Sequence, residues 1–194
     1  MKFIGKFIVL ILIVSCSNEP STVEQYANYP VKFAKHKITH PSNEFSFYIP
    51  LNWEWKSDGY KNENIILGID ASSKPYENGY SDVISIQKIK SFGEKKDLKS
   101  EFEYCLSVVE NNFGDKTILE SGLTKILDKE AYFIHTESNS GTYGEIEAIS
   151  LIFESGKKGE FYNLNAFASK TKDLKKNMTI LIKCIKTFEK LISE

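Results

Sequence analysis

The chain has 194 residues, and its 25 Lys+Arg against 26 Asp+Glu leave a formal charge of −1. That balance argues against a nucleic-acid binder that works by neutralising phosphates. Five Pro and 11 Gly are too few for collagen, a Pro-rich spacer or a low-complexity chain; 41% hydrophobic and 26% charged residues fit a globular protein, and the length suits one domain.

The chain begins with Lys2 and Lys6 and no acid, then Phe7–Val14 (FIVLILIV), eight apolar residues without a break, then Ser15 and Cys16. A basic start, a short apolar run and a small residue before a cut have the form of a secretory signal peptide. The run is far below the ~20 apolar residues of a membrane-crossing helix. The string Ile13-Val14-Ser15-Cys16 resembles the lipobox of bacterial lipoproteins. That resemblance implies removal of 1–15, with Cys16 becoming the first mature residue, diacylated on sulfur and usually acylated on its amine. It implies export and a lipid anchor, facing the periplasm or the cell surface. Two or more acyl chains hold a protein firmly to a membrane, one only marginally. The alternative is an ordinary signal peptide cut near Ser15, with Cys16 incidental. Loss of Lys2 and Lys6 leaves 25 − 2 = 23 bases against 26 acids, a mature charge of −3.

Residues 16–43 are polar, lack clean periodicity and are punctuated by Pro20, Pro30 and Pro41, so they are expected to be a tether with some order near Val31–Ile38. Residues 44–191 are expected to form the single folded domain. Phe45–Ile49 alternates and stops at Pro50, the pattern of a strand, and Trp53–Trp55 follows as a short extended piece. Asn64–Asp70 and Asp82–Ile89 read as strands flanking a long loop, Ala71–Ser81. Asp97 is a good N-cap for a helix over Leu98–Phe113 that Gly114 ends. Its stripe is Phe102, Cys105, Leu106, Val109 and Phe113. Four strands follow, over Thr117–Leu127, Glu130–Glu137, Glu145–Glu154 and Glu160–Ser169; their short connections make them antiparallel neighbours. Thr171 can cap a last helix running to about Leu191, with Leu174, Met178, Leu181, Ile185, Phe188 and Ile192 as its core stripe. The order predicts an α+β fold, an antiparallel meander of about seven strands packed by two main helices.

The strings Glu44-Phe45-Ser46-Phe47-Tyr48-Ile49-Pro50-Leu51-Asn52-Trp53 and Ile182-Lys183-Cys184-Ile185-Lys186-Thr187-Phe188 resemble the opening strand and closing helix of PsbP-like domains. The resemblance implies an α/β/α sandwich on a central antiparallel sheet, in a family that docks or binds rather than breaking bonds. A lipobox ahead of such a domain is similar to the DcrB-type envelope lipoproteins.

No catalytic constellation stands out. There is no GxSxG elbow and no HExxH, so neither a catalytic residue, a metal nor a cofactor is expected. His36 and His40 are four apart but lack a third ligand, and are expected to be two exposed histidines. His135 shares a strand face with Phe133 and Glu137; a half-buried histidine beside a surface acid is the plainer reading than acid–base chemistry. Cys105 and Cys184 read as small buried hydrophobes, with a disulfide as the alternative. Tyr76 and Tyr80 in the long loop, together with Trp55, are the candidate contact residues for a protein partner. The lysines of the last helix (Lys170, Lys172, Lys175, Lys176, Lys183, Lys186 and Lys190) suit a solvated face better than a lipid-facing one in an acidic chain. The sequence therefore favours a lipid-anchored, non-enzymatic envelope protein that docks an unknown protein, with a small-ligand or ion binder as the alternative and an enzyme last.

Overall fold

The computed structural model describes residues 20–191. In chain order the elements are α1 (Val23–Asn28), β1 (Lys35–Thr39), β2 (Phe45–Pro50), β3 (Glu54–Ser57), β4 (Ile65–Ser72), β5 (Val83–Lys90), α2 (Leu98–Phe113), a single 3-10 turn (Asp115–Thr117), β6 (Ile118–Thr124), β7 (Ala131–Asn139), β8 (Glu145–Glu154), β9 (Glu160–Ser169), α3 (Leu174–Ile185) and β10 (Glu189–Lys190). Seven strands form an antiparallel sheet in the order β3-β4-β5-β9-β8-β7-β6, and β1-β2-β10 form a second, small one. The expected α+β class holds, but the sheet is split in two. The strand at Phe45 pairs with β1 and β10 instead of joining the meander.

The expected tether is corrected here, because much of it is folded. Thr22 Oγ1 accepts the N–H of Gln25 and Gln25 Oε1 accepts the N–H of Thr22, at 3.2 and 3.1 Å. This capping box starts α1, which buries Val23, Tyr26 and Ala27. β1 then pairs with β2 from Lys35↔Pro50 to Thr39↔Ser46. The proposed anchor residue, Cys16, lies outside the described residues, as does the whole apolar run before it.

Side chains alternate across the large sheet, so its two faces carry separate cores. On one face Phe133, Leu151, Tyr162 and Leu164 pack with α1, α3 and the small sheet. On the other, Ile134, Ile152 and Phe161 meet Leu98 and Phe102 of α2. Cys184 belongs to the first core and Cys105 packs against the second, so the sheet separates them and both thiols are free. Burial pushes each thiol up to about 12, consistent with an inert role.

α2 keeps its expected bounds. Asp97 Oδ1 accepts the Ser100 N–H at 2.8 Å, and Gly114, at φ 84°, ends the helix. Its buried Glu101 reaches back to the preceding loop and accepts from the N–H groups of Phe92 and Gly93 at 2.8 and 3.0 Å. Gly93 is required there: a Cβ would stand 2.5 Å from Ser100 Oγ.

The last helix is shorter than its apolar stripe suggested. α3 ends at Ile185, where Thr187 Oγ1 donates to the Cys184 carbonyl at 2.6 Å and accepts the Tyr48 N–H at 2.8 Å. Phe188 still reaches the main core, but from the turn, and Glu189–Lys190 then pair with Ser46 and Phe45. Among the described residues no helix is long and apolar enough to cross a membrane.

Candidate functional site

α2 covers only part of its face of the large sheet. Its stripe is sealed at Leu98 and Phe102 and opens towards Phe113, which is 63% exposed. The uncovered end of the sheet forms a cleft of about 310 Å³. Val109 and Phe113 make one wall, Ile146, Ala148 and Phe167 the floor, and Tyr80 the opposite rim. Tyr80 comes from the long β4–β5 loop and sits 5.8 Å, ring to ring, from Tyr143 of the β7–β8 loop. Asn78 Nδ2 donates to the Tyr143 carbonyl at 2.8 Å, so the two loops brace each other. Burial and the charge of Asp82 push the Tyr80 phenol up to about 12, so it meets the cleft neutral at ordinary pH.

A second recess, of about 430 Å³, adjoins the first, with the side chains of Glu54, Lys56, Tyr60, Asp70 and Val83 in its lining. Val83 is the register partner of Phe167, which joins the two into one band across β3, β4, β5, β9 and β8. Tyr60 is 61% exposed there. The band has exposed aromatic rings at both ends and polar side chains between them. Ser150 Oγ, at the cleft, donates to Asn165 Oδ1 at 2.6 Å. Ser85, the register partner of Asn165, is buried and its hydroxyl has no partner among the described residues.

The three aromatic contact candidates thus part company. The Trp55 side chain lies on the other face of the sheet, with its register partner Ala71, whereas Tyr80 lines the exposed band. Tyr76 does not: its hydroxyl donates to the buried Asp82 carboxylate and accepts from Asn177 Nδ2 of α3 at 2.9 Å. The other oxygen of Asp82 accepts the Ser169 N–H at 3.1 Å. Tyr76 and Asp82 therefore staple the long loop to β9 and α3. Burial holds the Asp82 carboxyl above the usual range, against the hydrogen bonds from Tyr76 and Ser169.

The histidines also differ from expectation. His40 is not exposed but 3% accessible, set between Ser42 Oγ at 2.7 Å and Asp58 Oδ1 at 3.2 Å. His135 is buried completely, and its partner is not Glu137. Its Nε2 lies 2.6 Å from Glu147 Oε1, which also accepts the Tyr26 hydroxyl at 2.7 Å. Glu120 Oε2 stands 3.6 Å from His135 Nδ1 and accepts the Val23 N–H at 3.3 Å. His135 and Glu147 are each 1% accessible, so this network faces no cleft; it holds α1 to the sheet. Among the described residues no three His, Cys, Asp or Glu side chains gather as metal ligands would.

The Tyr26 and Tyr76 phenols lie well above their ordinary value of 10.0, each because of burial first and then the carboxylate it bonds. A raised folded value means the folded chain keeps a proton that the unfolded chain loses. Their contribution to stability is complete below pH ~10 and is lost as pH rises beyond it. In an alkaline titration, tyrosinate absorbance from these two is expected to appear together with unfolding. Y26F and Y76F should each flatten the decline in stability with pH; an unchanged slope in both contradicts this account.

A small sheet set across one end of a seven-stranded antiparallel sheet, with a helix between them and another on the far face, decides the fold. The fold is PsbP-like. The solution structure of cyanobacterial PsbP from Synechocystis sp. PCC 6803 matches with a TM-score of 0.54 at 6% identity, over 82% of this chain and 94% of that one. The Saccharomyces cerevisiae Ran-binding protein Mog1p matches with a TM-score of 0.50 at 7% identity, over 81% and 96%. Likeness at such identity carries the PsbP-like fold alone. No family model and no curated protein sequence matches the chain.

Proposed function

We propose that the protein is a non-enzymatic docking module of a bacterial cell envelope, lipid-anchored through Cys16, whose protein partner seats on the half-open face beside α2. The observation that carries this reading is the band from Tyr60 to Phe113. Large aromatic groups stand exposed at both of its ends around a polar middle, the composition of a protein-contact surface. That a yeast protein of the same fold is described as Ran-binding supports a docking role. The burial of His135 and Glu147 away from any cleft supports a role without bond chemistry. The lipobox-like string at Cys16 supports export and anchoring.

A photo-reactive amino acid placed at Phe113 or Tyr60 is expected to give one discrete adduct in cells, and at Lys158, remote from the band, none. Equal adducts from all three positions overturn the docking face. Incorporation of radioactive palmitate, abolished in C16A, tests the anchor separately. A second reading, a small-ligand binder, is favoured by the size and mainly apolar wall of the cleft. A low-molecular-mass compound released from the purified protein, with no protein adduct at Phe113, would establish it instead.

A further inference from the structure

A recess of about 640 Å³ lies between the α1–β1 connection and the C-terminal half of α3. Val31 and Phe33 supply its apolar lining, and Lys32, Lys35, Lys183 and Lys186 surround it. No acid lines it. None of these four lysines forms an ion pair among the described residues. Lys183 Nζ donates to the Val31 carbonyl at 3.1 Å, and Lys35 Nζ stands 4.8 Å from the centre of the Tyr48 ring. Lys175 and Lys176 follow on the same face of α3, since residues 7, 8, 10 and 11 apart return to one side of a helix.

We infer that this lysine recess is a docking site for the anionic headgroups of a membrane surface, which orients the domain on the bilayer. Two observations choose that occupant. The first is charge complementarity: four uncompensated ammonium groups with three donors each suit phosphate oxygens, while Val31 and Phe33 suit the glycerol and upper acyl region. The second is chain length. α1 is fixed to the sheet by Tyr26 and Val23, and its N-cap, Thr22, is six residues after Cys16. Six residues reach no more than about 20 Å even fully extended. The recess lies at the other end of this short helix, where Ala27 forms part of its lining. This step rests on the anchor reading at Cys16: a lipid there keeps the recess within reach of headgroups. The acidic charge of the whole chain does not oppose it, because screening confines the attraction to about 8 Å at physiological salt and only the nearby charges count.

The test uses the unlipidated chain from residue 17, which retains every described element. It is sedimented with vesicles of phosphatidylcholine alone or mixed with phosphatidylglycerol. Binding is expected only to the mixed vesicles and is expected to weaken as salt rises. Each Lys→Gln change at 32, 35, 183 or 186 should weaken it about fivefold, and all four together should abolish it. A control with Lys95, Lys96, Lys157 and Lys158 changed to Gln removes the same charge elsewhere and should bind as the parent does. Equal loss in both quadruple variants, binding to neutral vesicles, or no binding to either kind overturns the inference. So does saturation by millimolar inorganic phosphate that displaces the vesicles, which would assign the recess to a free anion. Melting curves for both variants confirm that the fold is intact. Because the probe carries no acyl chain, failure here is distinct from failure of palmitate labelling at Cys16.

Discussion

E147A is expected to destabilise the protein by about 3–5 kcal/mol, the range for removing one partner from a buried charged network. Glu147 is 1% accessible, and a single oxygen, Oε1, receives both the Tyr26 hydroxyl and His135 Nε2. Truncation leaves two polar groups buried without that partner, each an unmet desolvation of about 1–3 kcal/mol. It also loosens α1, because Tyr26 is that helix's main polar tie to the sheet and Val23 its apolar one. Y26F removes only the donor and leaves the His135–Glu147 contact, so it should fall near the lower end of the single-group range. Urea denaturation of the two variants measures this; a loss under ~1 kcal/mol for E147A would mean the network is not part of the structural frame. Early cleavage near Tyr29 in limited proteolysis of E147A, relative to the parent, would report the loosened helix directly.

That network also shows where the sequence stops being legible. Helix α2 could be read from one end to the other, because Asp97, a stripe at 3.6-residue spacing and Gly114 are local signals that agree. Helix α1 has six residues, too few to show periodicity, and three prolines nearby suggested a tether. Its signature was nonetheless present as the spacing Thr22 to Gln25, a capping box. Glu147 could not be recognised as buried, since in β8 it alternates with Ile146 and Ala148 like any surface acid. It points inward only because Tyr26, 121 residues away, supplies its partner. The short connections of β6, β7, β8 and β9 gave their adjacency, but the pairing of β5 with β9 is a long-range choice with no local mark. The aromatic candidates likewise announced a surface without saying which of them faces it: Tyr80 lines the band, while Tyr76 turns to Asp82 and Trp55 to the other face of the sheet.

F45A is the other change expected to have a large effect, about 3–5 kcal/mol for deleting a fully buried phenyl group. Phe45 is 0% accessible and sits among the rings of His40, Phe47, Tyr162 and Phe188, with centroids 5.5, 6.3, 6.0 and 5.5 Å away. These contacts explain why the opening string at Phe45 and the closing pair Thr187-Phe188 belong together. Phe188 leaves the end of α3 to lie on Phe45, and Lys190 then takes its register opposite the Phe45 backbone. Tyr162, near the start of β9, touches both rings and so ties the small sheet to the large one. A double-mutant cycle of F45A with F188A should therefore be non-additive by about 0.5–1.5 kcal/mol, the usual coupling of an aromatic pair. Strict additivity would assign the hold on β10 to the Thr187 hydrogen bonds alone. T187A, which removes those bonds and leaves every ring in place, separates the two: it should cost less than F45A and leave the coupling between Phe45 and Phe188 unchanged.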